Sequence, residues 1–231
     1  MTGRVAVYFA PPEGSELEAF GRCFLGRDHV SGEKIEQPRI DGLDIDDLEG
    51  ITRSARHYGF HATLKAPFML KDGRGLDELQ EVAKAFAAGR TAFDAPPLEI
   101  TALSRWIAFT LSAPCREMDR LAADCVRDFE PFRAPLGETE IARHRKSGLT
   151  PRQDERLLVY GYPHIFEDFH FHMTLAGPLD GARRDHVLDI LKGEAAALEC
   201  APLRVDAIAL YEQPDRDSPF TRTARFPFRA A

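Results

Sequence analysis

Phe60-His61-Ala62-Thr63-Leu64 recurs in the second half of the chain as Phe171-His172-Met173-Thr174-Leu175, and a proline follows each copy at the same offset, Pro67 and Pro178. In an extended strand, residues two apart share a face, so each histidine stands beside its threonine while Phe, the central residue and Leu point the other way. Two such strands facing one another make a pocket of two imidazoles and two hydroxyls. Cleaving a phosphodiester or opening a cyclic phosphate requires one group to take a proton from the attacking oxygen and another to give one to the leaving oxygen. Histidine titrates near neutrality, so one ring can be neutral while the other is protonated. The threonine hydroxyls can donate to the non-bridging phosphate oxygens. His61 and His172 are therefore the expected catalytic pair, with Thr63 and Thr174 as phosphate contacts. No cofactor or metal is needed for this chemistry.

Strand alternation adds Lys65 to the face of His61 and Thr63, as a cation near the phosphate or as a lysine snorkelling at the sheet edge. Its counterpart in the second copy is Ala176, which makes the expected pocket asymmetric. Tyr8 and Tyr58 are candidates to stack on a sugar or base, with core packing as the alternative. His170-x-His172, together with His61, offers a three-histidine zinc site as a competing reading. Against it, no Asp or Glu stands inside either motif. A third reading is a protein that binds a nucleotide or phosphosugar in the same pocket without turning it over. The chain has no Gly-x-x-x-x-Gly-Lys loop, no dinucleotide fingerprint and no Gly-x-Ser-x-Gly elbow.

The duplicated motif resembles that of the two-histidine (2H) phosphoesterases, defined by paired His-x-Thr/Ser motifs. The stretch Tyr58 to Phe68, the second from Tyr160 to Leu175, Val5 to Pro11 and Arg225 to Phe228 are similar to a branch associated with bacterial phosphonate-utilisation operons. The resemblance implies metal-independent phosphoesterase activity on a small phosphorylated substrate. It also suggests a sugar cyclic phosphate arising from carbon–phosphorus bond cleavage.

The 231 residues allow a single domain or two small lobes, and 44% apolar with 29% charged residues is an ordinary globular composition. A net charge of −7 argues against long nucleic acid as the main partner. No run approaches a membrane span and the chain opens directly into Val5-Ala6-Val7-Tyr8-Phe9, so a cytoplasmic protein is expected. The four cysteines, Cys23, Cys115, Cys125 and Cys200, form no C-x-x-C pair and read as buried free thiols.

The elements that must position the motifs follow from periodicity and turn residues. A strand over 4–10 precedes a helix opening at Ser15-Glu16. The acidic stretch 41–49 reads as a surface loop or short helix. After the first motif come a helix over 76–89 and extended segments at 98–101 and 105–111, then a helix over 118–129. After the second motif come a helix containing Val187 and Leu191, a strand over 203–211 and a last strand near 221–228. The order strand, helix, strand pair thus occurs twice. It predicts an α+β fold of two similar lobes, approximately 1–133 and 157–231, with pseudo-twofold symmetry, possible exchange of strands between lobes, and antiparallel sheets facing a central cleft with helices outside. A polar connector, 134–156, is expected to join them.

Overall fold

The computed structural model describes residues 3–199 and 201–230. In chain order the elements are β1 (Arg4–Phe9), α1 (Glu16–Leu25), α2 (Ile45–Tyr58), β2 (Ala62–Phe68), α3 (Leu76–Ala88), β3 (Phe93–Leu103), β4 (Trp106–Leu111) and α4 (Arg116–Asp128). They continue with α5 (Glu138–Arg145), α6 (Pro151–Tyr160), β5 (His172–Ala176), α7 (Gly181–Glu194), β6 (Pro202–Val205), β7 (Ala207–Gln213) and β8 (Thr221–Pro227). Local chemistry marks several ends. Ser15 caps α1 by accepting from the Glu18 amide, and Gly26 closes it in the left-handed region.

All eight strands are antiparallel to their neighbours, in the order β6-β3-β4-β5-β2-β1-β7-β8. This order is symmetric about the junction of β5 and β2, the two motif strands. Each half runs outward from its motif strand through a second, a third and an edge strand, in keeping with the expected α+β class and repeat. One residue pair, Ala62 with Met173, joins the halves. One half is inserted in the other: β3 to β6 are consecutive in the chain, while β1 and β2 share their half with β7 and β8 from the far end, through the pairing of β1 with β7.

Alternation along β1 divides the interior into two layers. Val5, Val7 and Phe9 join the main core with Phe60, Leu64, Phe109, Leu121 and Leu210. Ala6, Tyr8 and Ala10 face a smaller cluster with Ala209, Tyr211 and Phe220 on the opposite side of the sheet.

Three expectations change. The acidic stretch is largely the first turn of a 14-residue helix, α2, because Leu48, Ile51, Thr52 and Ala55 recur on one buried face. The connector is a helical hairpin. Thr150 and Gln153 form a reciprocal capping box with Pro151 at the first turn of α6, and Arg145 clasps Asp154 across the hairpin. Cys23 is exposed, whereas Cys115 and Cys125 are buried; Cys200 lies outside the described residues. Among the described residues no helix is long and apolar enough to cross a membrane.

Candidate active site

The site begins with the turn out of α2. Gly59 has φ +78, and a Cβ there would lie 2.9 Å from that of His29, so the close approach favours glycine. The turn aims the Gly59 carbonyl at His61, whose Nδ1–H donates to it at 2.9 Å. His172 repeats the device, donating Nδ1–H to the His170 carbonyl at 2.8 Å. Each ring thereby holds the same tautomer and keeps Nε2 for chemistry. The Nε2 of His61 lies 3.2 Å from the Thr63 hydroxyl, which donates to it.

The seam pair Ala62–Met173 sets the register. One residue to either side, an antiparallel pairing brings His61 opposite Thr174 and Thr63 opposite His172. The four polar side chains then share one face, with the histidines on a diagonal of on the order of 7–8 Å. Phe60, Ala62, Leu64, Phe171, Met173 and Leu175 are buried on the other side, as the alternation predicts. Such a diagonal leaves room for a phosphate hydrogen-bonded to both rings.

The two histidines differ in their surroundings. The Tyr8 ring is stacked on His61, centroids 3.7 Å apart and planes at 21°, and Tyr211 and Tyr58 stand at 6.2 and 6.3 Å. Burial pushes the His61 pKa down to about 3, with the nearby His172 and His29 acting in the same direction. The Tyr8 hydroxyl is pushed well above its ordinary value, chiefly by burial. His172 is partly exposed and follows the exposed His170.

Tyr8 and Tyr58 are thus both at the site. Tyr8 is 1% exposed and packs under His61. Tyr58, the last residue of α2, is partly exposed and stacks on Phe220 at 5.3 Å.

Lys65 is the exception. In the β1–β2 pairing Tyr8 lies opposite Thr63 but Val7 lies opposite Lys65, so an extra residue bulges from β2. The bulge breaks the alternation and turns Lys65 to the core side. There its amine, 3% exposed, donates to Glu130 at 2.8 Å and to the Val126 carbonyl at 3.0 Å. Lys65 closes the C-terminal end of α4 and does not reach the histidines.

Residues the motifs do not announce also meet here. Tyr211 and Phe220 wall the site from β7 and the β7–β8 loop, and Arg4 and Gln213 continue that wall. The continuous apolar runs of β1 and β7, which mark strands buried on both faces, were the available signal. Among the described residues no group of three His, Cys, Asp or Glu is disposed to hold a metal ion.

A family model described as Protein of unknown function (DUF1045) matches residues 63–221. The sequence is 38% identical over 229 residues to Ribose 1,5-bisphosphate phosphokinase PhnN of Janthinobacterium sp. (strain Marseille), covering 97% of this chain and 51% of that protein. It is 28% identical over 218 residues to the protein of the same name from Laribacter hongkongensis (strain HLHK9), covering 94% of this chain and 50% of that protein. The chain therefore spans about half the length of the curated relatives it matches. Among solved structures, E. coli LigT complexed with phosphate aligns with TM-score 0.43 at 14% identity, over 98% of this chain and 97% of the other. E. coli LigT complexed with 3'-AMP aligns with TM-score 0.41 at 14% identity, over 99% of both.

Proposed function

The chain belongs to the DUF1045 family, and from its site we propose that it is a phosphoesterase of the two-histidine type that opens a small cyclic phosphate, without a metal, by general acid–base catalysis. The observation that carries this reading is the pair His61 and His172, each fixed at Nδ1 by the carbonyl two residues earlier, meeting with Thr63 and Thr174 at the seam. In the reaction, His61 Nε2 takes a proton from water as the water oxygen attacks phosphorus. The bond from phosphorus to the departing sugar oxygen breaks, and that oxygen takes the proton from His172 Nε2. Thr174 donates to the non-bridging oxygens as charge gathers there, and Thr63 turns its hydroxyl from His61 Nε2 to do the same, which frees that nitrogen for the water proton.

The division of labour follows from surroundings. A ring enclosed by tyrosines favours its neutral form, which suits His61 as the base. Its low pKa makes a weak proton acceptor in the empty cleft, but an arriving phosphate anion raises the value and strengthens the base. His172, beside the exposed His170 on the other motif strand, then serves as the acid.

A ribose cyclic phosphate is the substrate class we favour, since the two curated relatives are named for ribose 1,5-bisphosphate and the motifs resemble the phosphonate-operon branch. The phosphokinase named in those relatives finds no Gly-x-x-x-x-Gly-Lys loop in this sequence. The test is turnover of nucleoside 2′,3′-cyclic phosphates and ribose 1,2-cyclic 5-phosphate, before and after exhaustive chelation. Chelation-resistant turnover that His61→Ala and His172→Ala each lower by about 10²-fold or more supports the reading. Binding without turnover points to a carrier, and activity lost on chelation and restored by zinc points to a zinc hydrolase.

A further inference from the structure

Four residues before Tyr8 on the same face of β1, Arg4 holds a half-buried guanidinium. Its Nε–H donates to Gln213 Oε1 at 2.7 Å, and its Cζ lies 5.3 Å over the Phe220 ring. The Gln213 amide is itself fixed. Its NH₂ donates to the Ser218 carbonyl at 2.8 Å and to His57 Nε2 at 2.9 Å, which leaves only the oxygen for Arg4. Among the described residues no carboxylate stands within ion-pair distance of Arg4. A partly buried cation kept without a counter-charge is costly unless something else supplies one. Burial above all, and then the neighbouring Arg216 cation, hold the Arg4 pKa below its ordinary value although Tyr58 and Tyr8 oppose the shift, and a bound anion would act in the same sense as those tyrosines.

Arg216 has a carboxylate, and it comes from the helical hairpin: Glu140 of α5 pairs with it and also lines a crevice beside Arg4. Helix α5 buries none of its residues, so little packing anchors it. From Arg4 the wall leads to the reacting end through Phe220 and Tyr58. Tyr58 lies 6.3 Å from His61, and Phe220 lies 6.2 Å from Tyr8. Along β1 the Cα atoms of Arg4 and Tyr8 are about 13 Å apart, a gap that the long arginine side chain narrows.

We infer that Arg4 and Arg216 form a second anion subsite in the cleft, that the substrate is a small phosphodiester bearing a second anionic group such as a phosphate, and that Glu140 competes for this subsite until that group displaces it. The inference rests on the proposed phosphoesterase reading for the reacting end only. Arginine suits the role because its planar fork binds phosphate oxygens in pairs.

The test compares a nucleoside 2′,3′-cyclic phosphate with its 5′-phosphorylated counterpart. In the wild type the 5′-phosphorylated compound should have the lower KM. Arg4→Gln should raise its KM by about tenfold relative to the unphosphorylated compound, the loss of one charge-assisted contact. Glu140→Gln should move the ratio of KM values the opposite way by removing the competitor. Thermal melting establishes that each variant folds; should Arg4→Gln not fold, Arg4→Lys and Glu140→Gln carry the comparison. A ratio of KM values unchanged in every folded variant overturns the subsite while leaving the phosphoesterase reading intact. If the wild type turns over neither compound, that reading fails. Calorimetry with nucleoside 2′-phosphate and 2′,5′-bisphosphate then decides the subsite, which stands only if Arg4→Gln weakens the bisphosphate selectively.

Discussion

The Tyr8 ring lies flat against the His61 ring, 3.7 Å between centroids, while Tyr8 itself is almost wholly buried. This stacking excludes water from one face of the imidazole and favours its neutral form. Tyr8→Ala should admit water and raise the His61 pKa from about 3 toward its ordinary value. The acid limb of the kcat/KM profile should shift to higher pH. Tyr8→Phe keeps the ring and should leave that limb near its wild-type position. Histidine titration followed by NMR in both variants checks this, and a His61 titration that does not move in Tyr8→Ala refutes it.

Acid should destabilise the fold through its buried imidazoles. His29 is 1% exposed, and burial lowers its pKa to about 4, with the Arg222 cation adding to the effect. Both His29 and His61 bind protons more readily when unfolded. Their contribution to stability is therefore complete above about pH 6.5 and falls as pH drops toward 4 and then 3. Urea unfolding at pH 8 and pH 5 should show the loss. His29→Leu should make the pH dependence shallower, whatever its effect on stability at pH 8.

Leaving-group quality should separate the two catalytic histidines. Alone, His61→Ala and His172→Ala should each lower kcat by about 10²-fold or more, and the double variant by less than the product. A substrate whose leaving group needs no proton should restore much of the rate to His172→Ala and little to His61→Ala. The reverse pattern would exchange their roles, and equal rescue would defeat the division.

Lys65→Met should act on stability and not on catalysis. The substitution removes the donor to the Val126 carbonyl, while Glu130 keeps Arg133 at 2.7 Å. A loss of about 1–2 kcal/mol is expected, with KM and kcat within about twofold of wild type. A selective rise in KM would return Lys65 to the pocket.

A fifth expectation concerns Gly21 in α1, where an added Cβ would run into the Phe60 ring. Alanine ordinarily stabilises a helix interior by up to about 1 kcal/mol over glycine. Here overpacking should reverse the sign, costing about 1–3 kcal/mol, and the displacement of Phe60 should reach its neighbour His61 as a lower kcat. Melting and kinetics on Gly21→Ala would expose a mistaken contact, since a stabilised, fully active variant would contradict it.

The motif alternation was legible because Phe60, Ala62 and Leu64 form a buried set that a period of two reveals, and Phe171, Met173 and Leu175 repeat it. Lys65 was not, since the bulge beside Thr63 depends on pairing with β1 and leaves no local mark. Helix α2 hid behind its acidic first turn, Asp46 and Asp47. For α6 the sign was present, because Thr150-Pro151-x-Gln153 spells a capped start, but the polar run around it read as linker. Arg4 has neither motif nor periodicity to mark it. Its setting comes from Gln213 and Phe220, more than two hundred residues away in the chain.

The half-sheet β6-β3-β4-β5 comes from one contiguous stretch, 93–205, whereas β1 and β2 need β7 and β8 from beyond that stretch to complete the other half. A fragment ending before β7 would lose Tyr211 from the wall around His61 and leave β1 with a bare outer edge. A piece spanning β3 to β6 keeps its half of the sheet but carries only His172 of the two histidines, so fragments should not retain a share of the proposed function. Two inactive pieces cut between β6 and β7 would have to restore the pairing of β1 with β7 before either regained a working pocket, which makes the chain a natural candidate for split-protein complementation.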